Sequence, residues 1–177
     1  MNLPEYRLKS NTLQRRLGDY LSTENKITFE QLGEAIEYQC IYGGKLGTSL
    51  IELGFIDEDY LAQTLSQQLK LHYVKPELLM NIPKNILELV PKEMALKHQV
   101  VPYHQDKKKL FVAMRDTSNI AVIDDLSFRL NHIIVPLAIP EVRLMMALKK
   151  HYGMDLSPRF INIEPQIKRR SVAAEKS

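Results

Sequence analysis

The sequence has a single cysteine, no tryptophan and seven glycines among its 177 residues. One thiol, Cys40, cannot form an internal disulfide and cannot by itself supply a cysteine-based metal site. The five histidines show neither the H-x-x-x-H nor the H-E-x-x-H spacing of metal-binding helices. We therefore expect no metal site and no cofactor.

Long apolar stretches are also missing. Runs such as residues 133–139 fall far short of the ~20 residues that a membrane-spanning helix needs. The N-terminus lacks a basic region followed by an apolar one, so it does not resemble a secretory signal. These features predict a cytoplasmic protein without direct membrane insertion.

The net charge is only +3 and is unevenly distributed. Residues 155–177 hold five Lys/Arg against three Asp/Glu, so the rest of the chain is almost neutral. Nucleic-acid-binding domains carry a basic stripe on folded elements, with aromatic residues interleaved where single strands are held. The body of this chain shows neither feature, so we expect no DNA or RNA partner.

A repeat with a period of 29 residues is the strongest pattern in the sequence. It relates block 16–39 to block 45–68, across a spacer of five residues. Both blocks begin with a cation followed by Leu-Gly-x-x-Leu, and both end on a glutamine. The blocks are identical at six pairs of positions, which are Leu17/Leu46, Gly18/Gly47, Leu21/Leu50, Ile27/Ile56, Leu32/Leu61 and Gln39/Gln68.

Each block predicts a helical hairpin. Asn25 or Gly54 can close the first helix in a left-handed conformation, and Thr28 or Asp57 can cap the second helix. Because the spacer allows only a tight connection, the two hairpins must pack against each other.

Two interpretations of the repeat stay open at this point. Mutual burial of two duplicated hairpins explains every paired leucine and isoleucine. It does not explain a cation and a glutamine at matching positions of both blocks, since neither is favoured in a core. Gly18 and Gly47 lie inside helices, where glycine costs roughly 0.5–1 kcal/mol relative to alanine, so we expect a close approach there by a neighbour or by a ligand.

The second half of the chain predicts a mixed core. Residues 100–103 and 110–114 flank a polar turn and predict a hairpin, and residues 133–139 predict a third strand. Helical periodicity is found at 119–130 and 140–151.

The predicted fold class is therefore α+β, with a helical unit of two repeated hairpins followed by a small unit with a short, mainly antiparallel sheet. The predicted boundaries are an N-terminal extension (1–11), a helical ligand-binding unit (12–70), an α+β unit (71–153) and a linker or disordered tail (154–177).

The acidic residues of the second half do not predict catalysis. Asp124 and Asp125 are adjacent on a helix and point about 100° apart, so they cannot act as a facing pair. We interpret them and Asp116 as solvated charges, and we assign no catalytic residue.

The paired blocks resemble the MshEN domain, the N-terminal regulatory region of many type II secretion and type IV pilus assembly ATPases. Block length and spacer length both match, and the resemblance extends over residues 12 to 153. The resemblance implies that the blocks bind cyclic di-GMP, one block for each half of the dinucleotide. The implied first half-site comprises Arg16, Leu17, Gly18, Leu21, Leu32, Ile36 and Gln39. The implied second half-site comprises Lys45, Leu46, Gly47, Leu50, Leu61, Leu65 and Gln68.

Several positions depart from the family pattern. Lys45 replaces the usual arginine, and its ammonium cannot make a bidentate planar contact. The first block has Asn25 in place of glycine, and Ser22 and Lys26 in place of apolar residues. These departures keep a second hypothesis open, in which the chain is a protein interaction adaptor of the same machinery that no longer binds the ligand.

The ATPase motor of the family is not expected here, because none of the seven glycines belongs to a G-x-x-x-x-G-K-[ST] phosphate loop. The sequence therefore predicts a non-enzymatic cyclic di-GMP receptor, either cut from a longer protein or free-standing. The implied protein partners are a secretion or pilus ATPase or an inner-membrane platform protein.

Overall fold

The computed structural model describes residues 17–163 together with residues 165 and 167. The predicted site residue Arg16, the predicted extension 1–11 and residues 168–177 of the predicted tail lie outside the described residues.

The repeat forms two helical hairpins, as predicted. Asn25 and Gly54 both adopt the left-handed conformation, with φ of 52° and 78°. Thr28 caps the second helix through a capping box with Gln31, and the Asp57 carboxylate accepts a hydrogen bond from Tyr60 N at the equivalent cap. The four helices of this unit are α1 (Leu17–Thr23), α2 (Phe29–Tyr42), α3 (Leu46–Glu52) and α4 (Glu58–Leu69).

The α+β unit follows α4 and contains short helices and a three-stranded sheet. The elements are a 3-10 helix (Pro76–Met80), α5 (Lys84–Leu87), α6 (Lys92–His98), β1 (Val100–Asp106), β2 (Lys109–Met114), α7 (Ile120–Leu130), β3 (Ile133–Ala138) and α8 (Glu141–Tyr152). Asn119 caps α7, and Gly153 ends α8 in the left-handed conformation.

The sheet has the order β1-β2-β3 and is mixed rather than mainly antiparallel. β1 and β2 form the predicted antiparallel hairpin, whereas β3 runs parallel to β2. The difference arises because α7 lies between β2 and β3, and a helical crossover returns the chain to the same end of the sheet. The α+β class itself is confirmed.

Two hydrophobic cores meet at α8. One core fills the α+β unit and includes Leu144 and Leu148 of α8, whereas the other fills the helical unit and includes Val142 and Met146 of the same helix. Residues 141–148 are all buried. The sequence predicts α8 as part of the α+β unit alone, and the structure shows that it belongs to the cores of both units.

Part of the predicted tail is also packed. Residues 158–163 are helical, and Ile163 and Ile167 are buried in the core of the helical unit. Arg159 Nε donates to Glu52 Oε2 at 3.0 Å. In this segment of the predicted linker or tail, the cation thus has a partner, and the isoleucines, four residues apart, share one helical face.

Along the described part of the chain, no helix is long and apolar enough to cross a membrane.

Candidate functional site

A pocket of about 340 Å³ lies between the second repeat and the α+β unit. The helical unit contributes Leu17, Lys45, Gly47, Thr48, Leu61, Leu65 and Leu69 to its lining. The α+β unit contributes Leu71, Met114, Arg115, Asp116, Thr117, Ser118, Ala138, Ile139, Pro140 and Glu141. The pocket is thus built from both units.

One wall of the pocket is apolar. Leu61, Leu65 and Leu69 are spaced four residues apart on α4 and therefore share a face. Leu61 is buried, whereas Leu65 and Leu69 are half-buried and leave apolar surface at the opening. A flat aromatic group can be buried against such a surface.

The opposite wall is polar and comes from the turn after β2. Asp116 Oδ1 accepts hydrogen bonds from Ser118 Oγ at 2.6 Å and from Ser118 N at 3.0 Å. These hydrogen bonds, together with the nearby Lys45 charge, hold the pKa of the Asp116 carboxyl below its ordinary value. The turn therefore presents an ionised carboxylate to the pocket.

Glu141 joins the two walls at the base of the pocket. Its Oε2 accepts from Lys45 N at 3.1 Å and from Thr48 Oγ1 at 3.0 Å, and its Oε1 accepts from Arg115 NH2 at 2.8 Å. The Glu141 side chain is 2% exposed, and these partners satisfy the hydrogen-bonding capacity of its buried oxygens. Lys45 Nζ also donates to the backbone carbonyl of Arg115. Both walls are therefore fixed to one another.

The residues of the second predicted half-site divide into two groups. Lys45, Gly47, Leu61 and Leu65 line the pocket. Leu50 is fully buried and Leu46 packs against the core of the helical unit, while Gln68 is half-buried on α4.

The first predicted half-site is more dispersed. Leu17 is the one member that lines the pocket among those the structure describes. Gly18 and Leu21 are buried, Leu32 and Gln39 are half-buried, and Ile36 is 45% exposed. Gln39 Nε2 donates to Gly44 O at 2.8 Å, so this glutamine has a partner in the connection between the repeats.

The helical glycines are explained by a close neighbour in both repeats. A Cβ atom on Gly18 would lie 2.8 Å from Leu32 Cδ1, and one on Gly47 would lie 2.7 Å from Leu61 Cδ2. Because Leu32 and Leu61 are themselves related by the 29-residue period, the same contact is made twice. The sequence left open whether a neighbouring side chain or a ligand approaches these two glycines closely. In the structure a neighbouring leucine does so in both repeats.

Several pocket residues were not predicted from the sequence. Arg115 and Glu141 are far from the repeats along the chain, and no local pattern marks them. Asp116 is exposed, in agreement with its interpretation as a solvated charge, and it also lines the pocket. The Asp-x-Ser spacing was a usable signal for its side-chain-bonded turn. Leu69 could have been found by extending the apolar face of α4, whereas Leu71 lies beyond the end of that helix.

Comparison with known proteins gives a consistent result. Residues 69–158 match the MshEN domain family. The type IV pilus assembly ATPase PilB of Myxococcus xanthus is 39% identical over 141 residues, which are 78% of this chain and 24% of that protein. The PilB of Thermus thermophilus is 28% identical over 157 residues, which are 81% of this chain and 17% of the relative.

A solved structure is also similar. The structure of MshE with cyclic di-GMP superposes with a TM-score of 0.58 at 28% sequence identity, covering 78% of this chain and 99% of that one. The chain thus spans about a quarter or less of the pilus ATPases it matches and nearly all of the MshE chain.

Proposed function

The chain belongs to the MshEN domain family, which confirms the resemblance inferred from its sequence, and from this premise we propose that it is a cytoplasmic regulatory module that binds cyclic di-GMP. One observation carries the proposal: four residues of the second predicted half-site line the same pocket as the polar turn at residues 115–118. The role is regulatory, and we propose no catalytic activity for the chain itself.

The chemistry of the pocket suits a guanine nucleotide. The ionised Asp116 can accept hydrogen bonds from the ring and amino N–H groups of guanine, and the leucines of α4 can contact the face of the base. Lys45 supplies a cation for a phosphate at the exposed rim. Arg115 forms an ion pair with the Glu141 carboxylate, whereas Lys45 Nζ donates to a neutral carbonyl and has two further N–H groups, so Lys45 is the cation we assign to the ligand.

The pocket volume of about 340 Å³ is at the small end of the range of about 300–1,000 Å³ for small-molecule sites. We propose that it holds one half of the dinucleotide. The other half would lie on the corresponding surface of the first block, where Leu32, Ile36 and Gln39 share one side of α2. Arg16 would supply the second cation.

Isothermal titration calorimetry of the full chain against cyclic di-GMP tests the proposal. We expect saturable binding, and we expect Lys45→Ala to weaken it about tenfold or more, since a hydrogen bond to a charged group contributes about 1.5–3 kcal/mol. Lys84→Ala, which removes an exposed lysine of α5, is the matched control and should leave the affinity unchanged. Asp116→Asn should also weaken binding while preserving the size of the side chain.

Two outcomes would contradict the receptor proposal. The first is no saturation at high micromolar ligand, which would favour the adaptor hypothesis. The second is binding that neither Lys45→Ala nor Asp116→Asn affects, which would move the ligand to another surface. Lys45→Arg sharpens the distinction, because it should tighten binding in a receptor and change nothing in an adaptor.

The position of the pocket supports a regulatory mechanism. Because its walls belong to both units, a ligand held there stabilises their contact by RT ln(1 + [L]/Kd), about 2.7 kcal/mol at a hundredfold excess over Kd. Hydrogen exchange should therefore slow in β2 and α8 as well as in α4. Slowing confined to the helical unit would contradict this coupling.

We propose that the partner is an assembly ATPase of a type IV pilus or type II secretion machine, or the inner-membrane platform protein of that machine. The similarity to the two pilus ATPases supports this context. Co-purification of the tagged chain with either protein, with and without cyclic di-GMP, tests it. Equal recovery in both conditions would separate the interaction from the ligand.

A further inference from the structure

The outer face of α2 carries an apolar stripe with no covering element among the described residues. Phe29, Gly33, Ile36 and Cys40 follow one another at helical spacing and form what we call the α2 stripe. Phe29 is 81% exposed and Ile36 is 45% exposed, and a Cβ atom on Gly33 would meet nothing within 4 Å. Such a contiguous apolar stripe is unusual on a free surface.

The helix face equivalent to the α2 stripe in the second repeat packs against another part of the molecule. The 29-residue period relates the α2 stripe to Glu58, Ala62, Leu65 and Leu69 of α4. In α4 this face contacts the α+β unit: Glu58 forms an ion pair with Arg143, Ala62 is fully buried, and the two leucines line the pocket. The α2 stripe is thus the first-repeat copy of a docking surface that the second repeat uses.

The negative charge beside the α2 stripe indicates what kind of segment can bind there. Glu30, Glu34 and Glu37 lie along its flank, and α2 contains no lysine or arginine. Two copies of the chain meeting through this face would bring six carboxylates together, which disfavours self-association. An occupant with apolar side chains and several cations is favoured.

Residues 1–16 have this composition and are attached beside the stripe. They carry four cations against one anion, and they include four large apolar side chains, which are Leu3, Tyr6, Leu8 and Leu13. Their attachment point, Leu17, begins α1, and the next residue, Gly18, packs against Leu32, one turn before Ile36 on α2. The segment therefore starts at the edge of the α2 stripe.

The length of the segment is sufficient. The stripe extends over twelve residues of helix, or about 17 Å at 1.5 Å per residue, and sixteen residues span about 24 Å even if fully helical. We propose that, in the chain without bound cyclic di-GMP, residues 1–16 dock on the α2 stripe, with their leucines against Phe29 and Ile36 and their cations beside Glu30, Glu34 and Glu37. Because Ile36 and Arg16 are also assigned to the first half-site, the docked segment and the ligand exclude each other there. Residues 168–177 are also cationic but have only Val172 and two alanines as apolar side chains, which makes them the weaker occupant.

Disulfide trapping on the full chain tests the docking, because Cys40 lies in the stripe and is the single native cysteine. Leu8→Cys should form an intramolecular disulfide with Cys40 at least tenfold faster than Ala174→Cys in the opposite terminal segment. Adding Phe29→Asp to Leu8→Cys should slow the reaction about tenfold. Phe29 is exposed, so this change should leave the fold intact, which circular dichroism can verify.

Three results would overturn the proposal. Equal rates for Leu8→Cys and Ala174→Cys would show that residues 1–16 have no preference for the stripe. A rate unaffected by Phe29→Asp would show that the contact does not involve the stripe. Covalent dimers in place of the intramolecular product would assign the stripe to a second copy of the chain.

Discussion

The two repeats make the same internal contacts and differ in what covers them. In the first repeat, Gly18 and Leu21 are the buried residues of α1, and Ala35 is the buried residue of α2. In the second repeat, five consecutive residues of α3 (47–51) and five residues of α4 are buried. The extra burial comes from α8, β3, the 3-10 helix and the 158–163 segment.

Each repeat depends on two contributions, which are its local sequence and its contacts with distant parts of the chain. The hairpin itself is specified locally, since capping, the left-handed turn and the glycine–leucine contact occur in both copies. The burial of each hairpin is decided by a distant partner. The second repeat is attached to the α+β unit by Glu58–Arg143 and by the contacts of Glu141, whereas the equivalent face of the first repeat is exposed. The half of the ligand that we propose for the pocket would therefore act mainly through the second repeat.

The largest expected effect comes from breaking the attachment of the second repeat. Glu58→Ala removes the carboxylate that pairs in a bidentate manner with the buried Arg143, and removing one member of a buried pair costs about 3–5 kcal/mol. Phe29→Ala, at the equivalent exposed position of the first repeat, should cost no more than about 1 kcal/mol. Urea denaturation measures both free energies of unfolding. Equal losses would contradict the difference between the repeats.

A second pair of changes tests what the repeats share. Leu21 and Leu50 are related by the period and both are fully buried. Leu21→Ala and Leu50→Ala should each lower the free energy of unfolding by about 2–5 kcal/mol, because each leaves a cavity. If one variant lost less than about 1 kcal/mol, the internal cores of the two repeats would not be equivalent.

The sequence could predict the parts of this structure that depend on neighbouring residues. Thr28 and Asp57 marked helix starts, and the polar turn after residue 103 marked the hairpin. The parallel pairing of β3 was predictable too, since a strand, a helix and a strand in succession favour it. The antiparallel hairpin formed by the first two strands favoured the prediction of a mainly antiparallel sheet instead.

Only one of the two walls of the pocket could be predicted from the sequence. Its apolar wall follows from the repeat, because Leu61 and Leu65 occupy periodic positions. Its polar wall depends on long-range contacts such as the hydrogen bond between Lys45 and Glu141. These two residues are 96 positions apart, so no local sequence pattern predicts their contact. The packing of Ile163 and Ile167 was missed for the same reason, since a charged segment resembles a solvated one until its partner is known.

Alanine substitutions at two glycines should give opposite signs. At Gly47 the new methyl group meets the buried Leu61, an overpacking that costs roughly 1–3 kcal/mol and is partly offset by the better helix propensity of alanine. At Gly33 there is space, and the equivalent residue of the second repeat is already Ala62, so Gly33→Ala should stabilise by about 0.5–1 kcal/mol. Thermal unfolding of both variants shows the signs directly. A stabilising Gly47→Ala would mean that Leu61 moves freely.

The smallest effect is expected where the two turns differ. Asn25 and Gly54 occupy the same left-handed position, and asparagine tolerates this conformation better than most residues. Asn25→Gly removes the remaining strain but adds the conformational entropy of glycine to the unfolded chain, a cost of about 0.5–1 kcal/mol. The two terms oppose each other, so the free energy of unfolding should change by less than about 0.5 kcal/mol.

Asn25→Ala is the control and should lose about 1 kcal/mol, since alanine has neither the tolerance of asparagine nor the freedom of glycine. If Asn25→Gly instead stabilised the chain by more than about 1 kcal/mol, the first turn would be strained, and the departure of this block from glycine would have a cost that the second block avoids.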